Sequence, residues 1–390
     1  LQPLRGAPFL LLSQWRGLPL VPHGCTPLYN LFPLRGIYSS YSYAYASCRE
    51  SRPHPLGSGL FEYAYGPPPE ELQVRCIRPP SDLQIDPLAS ARYLPSMETQ
   101  ILDGKQIAAE LREEIRLAVE TCQKEGFRPG LGVLLVGDDP ASRSYVTAKE
   151  KACDAAGILS REVKLPATAS KEEILAEVDR FNASEDINGI LVQLPLPDSS
   201  IEEEVLNRIL PEKDVDGFHP VNVGRMMLGL PAYLPCTPHG ILHMLKRGGI
   251  EAKGKHVVVV GRSNIVGRPL ANLLSQKSEL GNATVTMCHT GTPDIAAFTK
   301  EADIVVAAVG RPEVVTADMI RDGAVVIDVG VNRVPDDSKK SGFRLVGDCE
   351  YAAMLGKASA ITPVPGGVGP MTIAMLLFNT VEAAKRQAAS

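Results

Sequence analysis

From Met97 onward the chain alternates short, continuously apolar runs with helical stretches, and this alternation leaves few folds open to it. The runs are residues 131–136 (LGVLLV), 189–194 (GILVQL), 256–260, 283–288, 304–308 and 324–329. A run without polar alternation is the mark of a parallel strand buried on both faces. Helical patterns fill the gaps, over 104–123, from Pro140 to Gly157, over 170–181, over 200–209 and from near Thr237. Asp139-Pro140 supplies an N-cap followed by a proline at the first helical position, and Gly157 a C-terminal glycine. The pattern predicts two α/β domains with parallel sheets. No stretch of 18 apolar residues without breakers occurs, so no membrane-spanning segment is expected.

Residues 1–96 have a different composition. They hold eight of the eleven tyrosines, the single Trp15 and fifteen of the thirty-two prolines, with no acid before Glu50. Three readings compete: an organellar transit peptide, a disordered extension, or translated sequence upstream of a true start at Met97. Arg5, Arg16, Arg35 and Arg49 are few for a transit peptide, and organised pattern begins right after Met97, which favours the third. A cytoplasmic enzyme follows from that reading, an organellar one from the first. The net charge of −5 gives no basic surface for nucleic acid. The eight cysteines are scattered, with no C-x-x-C, which argues against a zinc ribbon, a redox motif or a disulfide framework and fits a reducing compartment. His239 and His243 are four apart on a helix but lack the Glu of H-E-x-x-H, so no metal site is expected.

Two loops draw attention at the ligand level. Residues 362–372 (TPVPGGVGPMT) lie between a strand-like run at 358–361 and a helical pattern over 373–386. Glycine permits close backbone approach, proline stiffens the turn, and a helix opening there presents N–H groups to a ligand. The second loop follows HVVVV. In GRSNIVGRPLANLL, Gly261 ends the strand and Gly267 opens a helix, while Ser263 takes the place of the middle glycine of G-x-G-x-x-G. The next strand ends in Cys288-His289-Thr290, without the acid that would hold a ribose 2′-hydroxyl and repel a 2′-phosphate. With Arg262 beside the loop, this predicts NADP over NAD.

The chemical residues lie earlier. Tyr145 and Lys149 share one helix face, on a helix that starts at a strand's C-terminal end. A lysine desolvated beside an aromatic can act as base or proton shuttle; the competing reading is a surface lysine like Lys151. Gln193, polar at the end of an apolar run, is free to bond the lysine, the ligand or the backbone. Asp214 and Asp216 in KDVDG alternate along an extended segment, so they face opposite ways and do not form a carboxylate pair. One reads a ligand's donors and the other caps or turns.

Together the strings SRSYVTAKEKACDAAGI, GILVQLPLP, PEKDVDGFHPVNVGR, PCTPHGILHML, GRSNIVGRPLANLL, VVIDVGVNRV and TPVPGGVGPMT resemble the bifunctional methylenetetrahydrofolate dehydrogenase/methenyltetrahydrofolate cyclohydrolase family. They stand in the family's order from Met97 to the C-terminus. The resemblance implies an α/β/α catalytic domain over 97–236, completed by 363–390, and a Rossmann NADP-binding domain over 237–362, with the last helix returning to the first domain. It implies Lys149 as central catalytic residue, Tyr145 packed on the folate ring and Gln193 tuning the lysine. It implies Asp216, Pro365, Gly366 and Gly369 against tetrahydrofolate derivatives. Gly261, Arg262, Ser263, Thr290 and Val331 would hold NADP, and the subunit would form a homodimer. A dehydrogenase-only member, another two-domain NADP dehydrogenase acting on shikimate-like or amino-acid substrates, and a non-catalytic scaffold are the alternatives. The intact Tyr145–Lys149 face, Gln193 and the glycine loop weigh against each.

Overall fold

The computed structural model describes residues 98–339 and 342–389. The three readings of residues 1–96, and Met97 as initiator, lie outside the described residues.

The chain begins with a two-residue strand β1 (Gln100–Ile101), then α1 (Gly104–Lys124), β2 (Gly130–Val136), α2 (Pro140–Ala156), β3 (Leu159–Leu165), α3 (Lys171–Ala183), β4 (Gly189–Val192), α4 (Glu202–Arg208), α5 (Pro220–Met227) and α6 (Cys236–Arg247). β2, β3 and β4 form a parallel sheet in the order β3-β2-β4. The central strand β2 is buried along its whole length. Each fully buried Val or Leu there contributes about 1.5–3 kcal/mol of apolar transfer, which is why the run needs no polar alternation. Local signals set the helix starts. Asp139 caps α2 through Ser142 N (2.8 Å), and Ser170 with Glu173 closes a capping box on α3.

The second half runs β5 (His256–Val260), α7 (Gly267–Ser275), β6 (Thr284–Cys288), α8 (Ala296–Thr299), β7 (Ile304–Ala307), β8 (Val325–Asp328), β9 (Asn332–Pro335), β10 (Phe343–Val346), α9 (Tyr351–Met354), β11 (Ala360–Ile361) and α10 (Val368–Ala388). Six strands form one parallel sheet in the order β1-β11-β8-β7-β5-β6. The order reverses direction beside β5, where open α/β sheets place a nucleotide. The final helix α10 leaves this sheet and packs on α1 and α6, also touching α2, β2 and β4. Its buried face includes Ala374, Leu377, Val381 and Ala384. The expected two-part α/β architecture, with the last helix returning to the first half, is the one observed.

Some local readings need correction. α10 begins at Val368, five residues before the expected 373, so Gly369 and Pro370 belong to its first turn. Proline is tolerated there because that N–H has no intrahelical partner. His219 caps and Pro220 opens the short helix α5, which the sequence pattern did not announce. The antiparallel hairpin β9–β10 and the strand β1 carry no periodicity long enough to read. No helix among the described residues is long and apolar enough to cross a membrane.

Candidate active site

α2 rises from the C-terminal end of β2 and presents Tyr145 and Lys149 one turn apart. Tyr145 is exposed, whereas Lys149 is only 8% exposed. The Lys149 Nζ donates to Gln193 Oε1 at 2.9 Å, and Gln193 Nε2 donates to Leu194 O at 2.7 Å. That second bond orients the amide so that its oxygen, not its nitrogen, meets the ammonium. Of the three options open to Gln193, the lysine and the backbone are both taken.

The two aspartates divide as alternation requires. Asp214 is buried and accepts from the backbone N–H groups of Gly217, Phe218 and His219 and from Asn222 Nδ2. It is committed to shaping the turn. Asp216 points the other way, toward Lys149 and Cys236. Burial pushes the Lys149 ammonium below the ordinary lysine range, with the Asp216 carboxylate opposing that shift. Burial pushes Asp216 up, with Lys149 opposing. Each group is therefore closer to its neutral form than in water, and each steadies the charge of the other.

Asn379 was not legible as a site residue. From α10 its Nδ2 donates to Val215 O (2.8 Å) and Leu234 O (3.0 Å), and lies 3.8 Å from Cys236 Sγ. It pins together the segment carrying Asp216 and the turn carrying Cys236. The only sequence signal is one amide in an otherwise apolar helix face.

Tyr145, Ser144, Ala148, Val331, Pro365, Gly366, Gly369 and Pro370 line one cavity of about 610 Å³. Lys149, Gln193 and Asp216 are not on its wall; they lie one helical turn beyond Tyr145. No side chain caps α10, so its first-turn N–H groups stay open at this cavity. The glycine loop is pressed on the start of α1. A Cβ on Gly104 would stand 1.7 Å from Gly367 O, and Lys105 N donates to Gly366 O at 3.1 Å.

Gly261, Arg262, Ser263 and Thr290 gather elsewhere, at the tips of β5 and β6. Gly261 has φ +134°, and a Cβ there would come within 2.2 Å of Ala308 O. Only glycine lets the strand turn into the helix this tightly. Gly261 N donates to Cys288 O at 2.8 Å, which sets the two strand tips side by side. Ser263 Oγ accepts from Val266 N (3.1 Å) and Gly267 N (3.3 Å) and so caps the turn into α7. Arg262, Ser263 and Thr290 are exposed. A cradle that excludes a Cβ, a helix opening and a lone exposed arginine suit a phosphorylated dinucleotide.

Asp328 and Asp348, also missed in the sequence, brace the wall between these regions. Asp328 accepts from Gly330 N (3.0 Å), Asp348 N (2.8 Å) and Cys349 N (2.9 Å). Asp348 accepts from Val309 N, Gly310 N, Arg311 N and Asn332 Nδ2. Burial nevertheless lifts Asp328 to about 6. The pair has seven donors in all, which fixes the segment holding Val331. His239 and His243 meet each other, Nε2 to Nε2 at 3.3 Å, against Phe378. No group of three or more His, Cys, Asp or Glu among the described residues is placed to hold a metal.

Comparison with known proteins adds the family. Residues 102–216 match the tetrahydrofolate dehydrogenase/cyclohydrolase catalytic domain, and residues 235–388 the NAD(P)-binding domain of the same family. The bifunctional protein FolD of Chlorobium phaeobacteroides is 56% identical over 289 residues, 73% of this chain and 97% of the relative. That of Moorella thermoacetica is 54% identical over 290 residues, 74% of this chain and all of the relative. Among solved structures, FolD of Campylobacter jejuni is 45% identical with TM-score 0.70, covering 74% of this chain and 99% of that one. The Trypanosoma brucei methylenetetrahydrofolate dehydrogenase-cyclohydrolase, complexed with NADP and inhibitor, is 41% identical with TM-score 0.71, covering 75% and 99%.

Proposed function

The chain belongs to the tetrahydrofolate dehydrogenase/cyclohydrolase family, and on that premise we propose that it oxidises 5,10-methylenetetrahydrofolate with NADP⁺ and hydrolyses the resulting 5,10-methenyl compound to 10-formyltetrahydrofolate. The observation that carries the reading is the hydrogen bond from the buried Lys149 to Gln193 beside Asp216, one helical turn beyond the exposed Tyr145. We assign folate chemistry to residues 97–236 with 363–390, and cofactor binding to 237–362; the short β1 is lent to the larger sheet.

NADP⁺, when bound, supplies the hydride acceptor for the first step. Gly261 gives its backbone room, and Arg262, Ser263 and Thr290 hold the region of its 2′-phosphate, with Val331 on the cleft wall. Tyr145 packs on the aromatic ring of the folate, and Asp216 accepts from the amino and N–H groups of the pterin. Pro365, Gly366 and Gly369 shape the backbone against the substrate, which the two halves of the molecule hold in line. In the second step water attacks the methenyl carbon. Lys149, whose ammonium burial pushes below the ordinary lysine range, takes a proton from that water and returns it to the departing nitrogen. Gln193 accepts an N–H from Lys149 in either protonation state, so it keeps the amine aimed while the charge changes. Homodimeric assembly and a cytoplasmic location go with the reading, supported by family membership and by the five cysteines among the described residues, all free and buried.

The test is a spectroscopic assay of the full chain with 5,10-methylenetetrahydrofolate and either NADP⁺ or NAD⁺, with decay of added methenyl compound followed separately. Faster reduction of NADP⁺ than of NAD⁺, with accelerated decay, is expected. Reduction without accelerated decay would leave a dehydrogenase alone. Absence of both in folded protein would overturn the reading.

A further inference from the structure

In the large parallel sheet β5 is followed by β6 on one side, and the chain then crosses to β7 on the other side and goes on to β8. The connections from the tips of β5 and β7 therefore leave in opposite directions. An open α/β sheet binds a dinucleotide in the crevice at such a point, outside the carboxyl ends of its strands. One wall of that crevice is the Gly261 turn. The other is the segment that leaves β7, residues 308–311. The two walls touch: Ala308 N donates to Val260 O at 2.8 Å, and a Cβ on Gly261 would stand 2.2 Å from Ala308 O.

The second wall is shaped by Asp348. Its carboxylate accepts from three successive backbone N–H groups, those of Val309 (2.6 Å), Gly310 (2.9 Å) and Arg311 (3.1 Å), and from Asn332 Nδ2 (2.9 Å). Successive N–H groups that converge on one point form a nest for an anion. Gly310, at φ +71°, gives the backbone the turn that convergence needs. Here the anion belongs to the protein, and it is wholly buried. The pairing continues along the loop, where Glu313 N donates to Gly347 O (3.2 Å) and Val315 N to Asp348 O (3.0 Å).

Asp348 is itself held. Its N–H donates to Asp328 Oδ1 at 2.8 Å, and Cys349 N donates to Asp328 Oδ2 at 2.9 Å. Two glycines admit the carboxylates: a Cβ on Gly330 would stand 2.1 Å from Asp348 Oδ1, and one on Gly347 would stand 1.8 Å from Asp328 Oδ2. The loop above is different. Gly310 and Arg311 are exposed, so little packing of their own keeps them in shape. Their conformation depends on the carboxylate beneath them.

We propose that Asp348 is a positioning residue for the cofactor: it folds residues 309–311 into the crevice wall that faces the Gly261 turn, and by filling their nest it leaves the diphosphate to the Gly261 side. An occupied nest has no N–H to offer a phosphate, and its negative charge turns a second anion away. This rests on the NADP part of the reading above.

The experiment measures Kd for NADP⁺ by calorimetry, and amide exchange at Val309, Gly310 and Arg311, in the full chain and in Asp348→Asn, Asp348→Ala and Gly310→Ala. Methenyl hydrolysis is followed alongside. Asp348→Asn keeps the shape but puts an N–H donor where an acceptor stood. Loss of one charge-assisted hydrogen bond should raise Kd about tenfold. Asp348→Ala, which removes every acceptor, should raise it about thirtyfold. Gly310→Ala meets no atom within 4 Å but strains a positive φ, and should raise it about threefold. Amide exchange at the three positions should quicken in the same order. Methenyl hydrolysis, which uses no cofactor, should fall less than about threefold. Should Asp348→Ala fail to fold, Asp348→Asn and Gly310→Ala carry the comparison. A Kd within about twofold of wild type in Asp348→Asn overturns the proposal. So does a loss of methenyl hydrolysis equal to the loss of NADP⁺ binding, which would mark a general structural role, and so does a wild type that binds no NADP⁺. Wild-type protein that binds NADP⁺ without hydrolysing the methenyl compound would remove the folate reading, while the Kd series still decides this inference.

Discussion

Around Lys149 the site is made of a buried side chain and its half-buried partners; at the tips of β5 and β6 it is made of backbone shape and exposed side chains. Lys149 bonds Gln193 and is coupled to the Asp216 carboxylate, with Asn379 fixing the segment behind Asp216. Gly261 and Gly267 act through what they lack, and Arg262 and Thr290 stand in solvent. On the proposed reading the difference follows from the task. A proton shuttle needs a shifted pKa, hence burial and a fixed partner. A site for a charged, detachable dinucleotide needs room, open N–H groups and a cation that water can also reach.

The largest expected effect breaks the buried end alone. Lys149→Met should slow methenyl hydrolysis by about 10²–10⁴-fold while leaving measurable dehydrogenase activity. Following NADPH formation and methenyl decay in parallel decides it; equal loss of both would show that the two ends are not separable. Next, Gly261→Ala attacks the other end. A methyl 2.2 Å from Ala308 O, at φ +134°, cannot be accommodated without moving the loop. NADP⁺ affinity should fall at least about tenfold, with roughly 1–3 kcal/mol of strain in the loop. Folate affinity, read by equilibrium titration, should change little; a matched loss of both would blur the comparison.

The smallest effect concerns neither end but the helices that join them. Burial lowers His239 to about 3, and burial with Arg247 and Lys246 lowers His243, while Glu114 opposes. A histidine depressed below its unfolded value of about 6.5 stays neutral in the fold while the unfolded chain takes up a proton. Its contribution is therefore present above pH 6.5 and lost as pH falls from there toward 3. Between pH 6.5 and 5 this amounts to about 2 kcal/mol for His239. His239→Leu should flatten that acid limb in denaturant melts; an unchanged slope would mean the pair is not neutral in the fold.

Much of this was readable beforehand, for identifiable reasons. Tyr145 and Lys149 share a helix face by spacing alone, and Asp214 and Asp216 had to diverge because an extended segment alternates. Gly261 announced itself at the end of an apolar run. Asn379, Asp328 and Asp348 did not, because, apart from Gly330 N beside Asp328, each acts on atoms from 16 to 164 residues away.

What the sequence determined by itself was local and periodic: the alternating elements, the caps at Asp139 and Ser170, and the glycine turn at 261. Those depend on steric and hydrogen-bonding choices made within a few residues. Only the tertiary structure decided that Lys149 is buried rather than solvated, that its partner is Gln193 rather than water, and that α10 closes the site. Desolvation and long-range hydrogen bonding depend on which surfaces meet, and the order of residues along the chain does not state that.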